Sequence, residues 1–313
     1  MLKEDLLSNI IEIVHQCGKI MLSATDIERK IHQKAGKGNF VTDYDSRVQE
    51  ALRSRLLMLL PEAVFMGEED EMDCADISRG YAFIVDPIDG TANFTRGYDA
   101  SSISVALAKD GVPVLGVVYN PYRKETYYAE RGKGAFLNGE RIHASERTLE
   151  EGLILFGTSP YYEDLRSKAF ETAFRYVSCG EDLRRSGSAA IDLCMVASGR
   201  AEFFFELRLS PWDYAAGALL VEEAGGIVSD LEGNPITYDR KQTMTARGPK
   251  VRLLDGLCKD AASQVLINED GGKGSRDETG RGETRRDETS RDETGRGETD
   301  RAGIRREGEK KKP

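Results

Sequence analysis

Residues 81–94 read Tyr-Ala-Phe-Ile-Val-Asp-Pro-Ile-Asp-Gly-Thr-Ala-Asn-Phe. The apolar run Tyr81 to Val85 reads as a buried strand. Pro87 has no ladder donor and a fixed φ, so the strand is expected to end at Asp86. Asp86 and Asp89 flank that rigid turn and offer hard oxygen ligands suited to Mg²⁺. Gly90 and Thr91 follow with backbone N–H groups of the kind that hold phosphate oxygens at helix starts and in backbone nests. A metal beside a phosphate cradle points to metal-assisted phosphate hydrolysis. A bare Asp-x-x-Asp favours a plainer reading, an acidic loop that caps a helix. The full run from Ile84 reverses that weighting.

Upstream, Leu6, Leu7, Ile10, Ile11, Val14, Cys17, Ile20 and Met21 recur at helical spacing, which predicts an amphipathic helix over residues 4–24. His15 is assigned to its polar face. Residues 30–42 are basic and interrupted by glycine. Two readings of this stretch stay open: a surface hairpin, or a lid that brings Lys34 toward a phosphate. Asp43-Tyr44-Asp45 precedes a second helical pattern through Val48, Leu52 and Leu56, stopped by Pro61, with Asp43 expected as the N-cap. Glu68 follows a short apolar stretch and a glycine, and residues 70–76 read as a solvated acidic surface.

Downstream, Ser102 to Ala108 and Val112 to Tyr119 flank a Lys-Asp-Gly hairpin signal, with further strands at Thr126 to Ala129 and Gly134 to Leu137 and a turn at Asn138-Gly139. The character changes near residue 150. A strand at Leu153 to Phe156, a helix at Glu163 to Phe174 and a possible strand at Tyr176 to Cys179 come next. Gly187-Ser188-Ala189 opens a helix that Gly199 ends. Ala201 to Phe205 reads as a strand leading to Glu206, which alone suggests a strand-end surface acid. Pro211 or Trp212 starts another helix with Asp213 in its first turn, a favourable dipole charge. Closing strands at Ile227 to Ser229 and Met244 to Ala246 and a final helix over 251–267 complete the body.

The 313-residue chain is long enough to bury a sizeable core in one large domain or two small ones. A net charge of −10 argues against nucleic acid as a bulk partner. The cysteines, at 17, 74, 179, 194 and 258, are scattered without a C-x-x-C pair, which fits a reducing cytoplasm better than a disulfide framework. No signal peptide and no apolar run near 18 residues is evident, so a cytoplasmic chain without membrane contact is expected. Residues 276–300 divide into RDETG, RGETR, RDETS, RDETG and RGETD. Residues 269–313 carry 13 acidic and 13 basic side chains, so the net charge belongs to residues 1–268. With almost no apolar side chains, this tail is expected to be disordered and dispensable for catalysis.

Asp86-Pro-Ile-Asp-Gly-Thr-Ala-Asn-Phe94 resembles the signature of the inositol monophosphatase family, Mg²⁺-dependent phosphomonoesterases. Trp212-Asp213 with the later Glu-Ala-Gly-Gly resembles the family's second signature, and residues 132–139 are also similar. The resemblance covers roughly residues 5–268. It implies an α+β and α/β fold, the layered αβαβα sandwich of sugar phosphatases. The parts would be 1–150, 151–268 and the tail 269–313, with the metals between the first two. It implies a homodimer. Glu68, Asp86 and the Ile88 carbonyl would hold one Mg²⁺; Asp86, Asp89 and Asp213 would hold a second; a third, weaker ion would sit near Glu68. Thr91, tied to Asp45, would orient the attacking water, and Lys34 would belong to a loop closing over the site. Gly90 and Thr91 would cradle the phosphate. Gly187, Ser188, Ala189 and Glu206 would read hydroxyls on a polyol.

Inositol 1-phosphate is the leading substrate on this reading. Fructose 1,6-bisphosphate and histidinol phosphate are competitors, since relatives use the same metal core for them; 3′-phosphoadenosine phosphate is a further rival, which should need an adenine pocket that no sequence feature builds. A rival of another class is a regulator binding the transcription machinery, as some bacterial relatives do.

Overall fold

The computed structural model describes residues 5–27, 31–33, 40–70 and 75–254. Lys34, the repeat tail and most of the helix expected over 251–267 lie outside them. Val251 to Leu254, within them, form no helix. The described residues fall in one compact unit.

The chain begins with α1 (Leu6–Leu22), the short antiparallel pair β1 (Ile31–Gln33) and β2 (Phe40–Thr42), and α2 (Asp43–Leu59). A seven-stranded sheet follows: β3 (Val64–Gly67), β4 (Tyr81–Asp89), β5 (Ser102–Lys109), β6 (Val112–Asn120), β7 (Glu125–Glu130), β8 (Gly134–Leu137) and β9 (Glu140–Ile142), hydrogen-bonded in chain order. The one-turn α3 (Thr91–Phe94) interrupts it after β4. Pairing is antiparallel except between β3 and β4. The β5–β6 and β8–β9 turns carry Asp110-Gly111 and Asn138-Gly139, each with positive φ at both central residues, as tight hairpins require.

The remainder supplies β10 (Leu153–Phe156), α4 (Glu163–Val177), β11 (Asp182–Arg184), α5 (Ala189–Ala197), β12 (Phe203–Leu209), α6 (Pro211–Glu223), β13 (Ile227–Ser229) and β14 (Gln242–Arg247). Its five strands order as β11-β10-β12-β14-β13. The strand expected at Tyr176 to Cys179 is instead the end of α4 and its turn; the strand lies at Asp182–Arg184. Tyr176 is buried on α4 and stacks on Phe203 at 4.2 Å between ring centroids. That packing extends the helix past the expected end.

The layers follow from alternation along strands. Phe83, Val85, Val105 and Leu107 face α1 and α2. Ala82, Ile84, Ala106 and Ala108 face the other way, onto α5 and α6. Phe204 and Met244 meet these helices from the far side, while Phe203 and Phe205 turn outward to α4. The order is helix pair, seven-stranded sheet, helix pair, five-stranded sheet, helix: the αβαβα sandwich. Because α5 and α6 are covered on both sides, their side chains are apolar nearly all round. His15 on α1 is half-buried, its Nε2 2.8 Å from Thr126 Oγ1, so it packs on the sheet. Cys17 and Cys194 are buried free thiols, whereas Cys179 is disulfide-bonded, a departure from the expected unpaired set.

The middle layer sets the stability. Leu193 on α5 is fully buried between the sheets. Leu193→Ala should cost about 2–5 kcal/mol of unfolding free energy. Met58→Ala, at an 80% exposed position of α2, should stay within about 0.5 kcal/mol of the parent. Urea titration of both variants checks this.

Candidate active site

The decisive local feature is a bulge in β4. The strand does not stop at Asp86; it continues through Pro87 to Asp89. The ladder to β5 slips there: Asp86 opposes Ser104 and Asp89 opposes Ser102. Three steps on β4 match two on β5, so β4 holds one extra residue. Pro87 is tolerated because bulges leave a donor unneeded. In a regular strand, positions three apart point to opposite faces. The extra residue resets that parity, and Asp86 and Asp89 reach one face.

That face walls a cavity of about 490 Å³ lined by Glu68, Asp86, Ile88, Asp89, Gly90, Thr91, Gly187, Ser188, Ala189, Glu206 and Asp213. Asp45 is fully buried behind it and connects through Thr91, whose hydroxyl lies 3.1 Å from both Asp45 Oδ1 and the Ile88 carbonyl oxygen. Lys34 lies outside the described residues. Arg185, Arg208 and Lys241, all exposed, line the same cavity and favour an anionic visitor.

Each acid is fixed by hydrogen bonds to an adjoining turn. Thr42, not Asp43, caps α2. Its amide and hydroxyl donate to Asp45 Oδ2 at 2.8 and 2.6 Å. The Thr-x-x-Asp spacing is a capping box, which leaves Asp43 as an ordinary first-turn acid. Asp213 repeats the device on α6: Ser210 is the N-cap and its amide donates to Asp213 Oδ2 at 2.7 Å. Asp86 Oδ1 accepts from the Ile88 amide at 3.0 Å. Asp89 Oδ2 accepts from the Ser188 hydroxyl and from the Ala190 amide at 2.8 Å. The turn at 187–189 therefore does more than line the cavity; it holds Asp89. Asn93 fastens the same turn to the first motif by donating to the Ala100 and Ser186 carbonyls at 2.7 and 3.0 Å.

Glu206 is buried, not a surface acid, and its Oε1 accepts from the Ser159 amide at 2.8 Å. A Cβ at Gly157 would stand 1.9 Å from Glu206 Oε2, so a side chain there would displace the Glu206 carboxyl. Ser159, Gly157, Asn93 and Asp192 escaped the sequence reading. Only Asn93, inside the first motif, carried a signal that could have found it.

Burial pushes Asp86 well above the usual carboxylate range, reinforced by the charges of Glu68, Asp89 and Asp213. Burial raises Asp213 likewise, with Glu68 and Asp89 beside it. Glu68, Asp86, Asp89 and Asp213 thus crowd like charges on one wall. Among the described residues no ready-made cluster of three ligating side chains stands gathered, so the acids form an open set. Hard oxygens and crowded like charges nevertheless fit a divalent cation, which would neutralise them.

Residues 2–266 match the model of the inositol monophosphatase family. The chain belongs to the inositol monophosphatase family. It is 34% identical over 272 residues to a fructose-1,6-bisphosphatase/inositol-1-monophosphatase from Thermotoga maritima, covering 86% of this chain and all of that one. It is 37% identical over 239 residues to the Nus factor SuhB of Escherichia coli K12, covering 74% of this chain and 86% of that one. Among solved structures, the extragenic suppressor protein suhB from Bartonella henselae superposes with a TM-score of 0.72 at 32% identity, covering 79% of this chain and 95% of that one. Phosphatase chemistry is thus supported at the level of the family.

The acids also set a pH dependence. Burial raises Asp45 and Asp89 to about 6 and Glu206 to about 7, above the usual range of about 4. Between about pH 4 and pH 7 the folded chain holds more protons than the unfolded one, so stability falls as pH rises through that window. In EDTA, the thermal midpoint should drop between about pH 5 and pH 7.5, and added Mg²⁺ should recover more of it at the higher pH, where the acids are free to bind. A midpoint that rises over this range and ignores Mg²⁺ would count against the reading.

Proposed function

We propose that the chain hydrolyses a phosphate monoester, inositol 1-phosphate, by in-line attack of water with Mg²⁺ as cofactor. The observation that carries this is the Thr91 hydroxyl, bonded to Asp45 and set in the same cavity wall as Asp86, Asp89 and Asp213. Glu68, Asp86, the Ile88 carbonyl, Asp89 and Asp213 are the residues that would hold two or three ions. Bound there, Mg²⁺ supplies Lewis acidity, a more acidic water and neutralisation of phosphoryl charge.

The chain's own residues do the rest. Thr91 donates its hydrogen bond to Asp45 or to the Ile88 carbonyl, so its oxygen lone pairs are left to accept from a water and aim it. Asp45, raised by burial, is placed to take up a proton passed through Thr91. Thr91 and Ala92 open α3, and their amides have no carbonyl within that helix to bond; both residues line the cavity and are offered to phosphate oxygens. Arg185, Arg208 and Lys241 draw the anionic ester in. Glu206 and the turn 187–189 stand on the leaving-group side.

A second reading has one specific support: several relatives of similar identity are named Nus factor SuhB. On that reading the chain binds a partner in transcription, with or without turnover, and the expectation of no nucleic-acid-linked partner fails. A homodimer and a cytoplasmic location remain proposals from the family.

Phosphate release should be measured on inositol 1-phosphate, fructose 1,6-bisphosphate, histidinol phosphate and 3′-phosphoadenosine phosphate, with and without Mg²⁺. Turnover should need Mg²⁺, favour the inositol ester and fall by about 10²-fold or more in Asp89→Asn and Thr91→Ala. A folded chain inert on the whole panel would move the weight to the binding role.

A further inference from the structure

Asp192 is buried in the first turn of α5, where its amide donates to the Ser188 carbonyl at 3.0 Å. The same turn holds Asp89 through the Ser188 hydroxyl and the Ala190 amide. One helical turn thus anchors an acid of the phosphate side and presents a second acid of its own. Asp192 is 2% exposed and lines the cavity. Its Oδ1 is the one buried side-chain nitrogen or oxygen among the described residues that has no hydrogen-bond partner.

Buried polar groups in native folds are nearly always paired. A buried acceptor without a partner, on a residue of the cavity wall, is therefore short of a donor. Burial raises Asp192, and the charges of Glu206 and Asp89 add to it; Ser186 and Arg185 pull the other way. Protonated or not, a carboxyl keeps an acceptor oxygen. Glu206, another buried acid of this wall, already spends Oε1 on Ser159. A hydroxyl is a small neutral donor that suits such a wall, and a polyol carries several.

We propose that Asp192 is a specificity-determining residue: its Oδ1 accepts a hydrogen bond from a hydroxyl on the alcohol part of the phosphate ester. The inference rests on the phosphatase reading above and adds a residue that selects hydroxylated leaving groups.

The test compares myo-inositol 1-phosphate with cyclohexyl phosphate, the same ring without hydroxyls. The readout is the ratio of their kcat/KM values. Asp192→Leu removes the acceptor at similar size and should lower the ratio roughly 10- to 100-fold, mainly through KM for the inositol ester. Asp192→Asn keeps an acceptor oxygen and should restore most of the ratio. A merely structural role would depress both esters together and leave the ratio unmoved, which would overturn the proposal, as would a Leu variant equal to the parent. A parent chain inert on both esters would overturn the phosphatase reading and this inference with it, and is told apart by the parent's own rates.

Discussion

Several carboxylates must be kept together in one largely buried cavity wall. Removing such charges from water is expensive, and like charges at close quarters compound the cost. The fold meets this with backbone and hydroxyl donors. Thr42 serves Asp45, Ile88 serves Asp86, Ser188 and Ala190 serve Asp89, Ser159 serves Glu206 and Ser210 serves Asp213. These donors come from helix starts and strand ends, so the secondary structure has to begin and end where it does.

The sandwich exists to bring those ends together. Each sheet is bulged next to its site acid. In β4 the slip lies between Asp86 and Asp89, and in β12 it lies between Glu206 and Leu209. Each bulge re-aims a strand that would otherwise continue as an alternating ladder. Helices α5 and α6 start on the same cavity and run between the sheets, which fixes their first turns relative to both. Fold and site thus share the same helix starts: loss of Ser188 would disturb Asp89 and the cap of α5 at once.

Much of this was legible in the residues, because period and punctuation are local signals. Alternating apolar runs gave most of the strands, Asp110-Gly111 and Asn138-Gly139 gave the hairpins, and Gly199 gave the end of α5. The candidate site residues were named through motif resemblance, since nothing local says that Asp45, Glu68 and Asp213 lie near one another. What misled was tertiary. Pro87 reads as a strand end until the pairing with β5 shows a bulge. Tyr176 to Cys179 reads as a strand until the stacking of Tyr176 on Phe203 shows a helix. Asp43 lost the cap to Thr42 because Asp45 completes a box from the third helical position. Glu206 looked like a surface acid because its cover comes from Gly157 and Ser159, nearly 50 residues earlier, beyond any local pattern.

The distance along the chain between the two halves of Asp89's setting has a consequence for biosynthesis. The carboxylate is made about 100 residues before the Ser188 and Ala190 donors that hold it. Asp213 follows later still. A ribosome-bound chain can pair β3 through β9 among neighbours, but its acids on β4 then face a cavity with only one wall. The site is therefore a late, long-range product of folding, in the class of contacts that form slowly. A nascent seven-stranded sheet would bear an uncovered apolar face and poorly compensated acids until α5 and α6 emerge, and that is the interval in which this chain is most open to a chaperone or to aggregation.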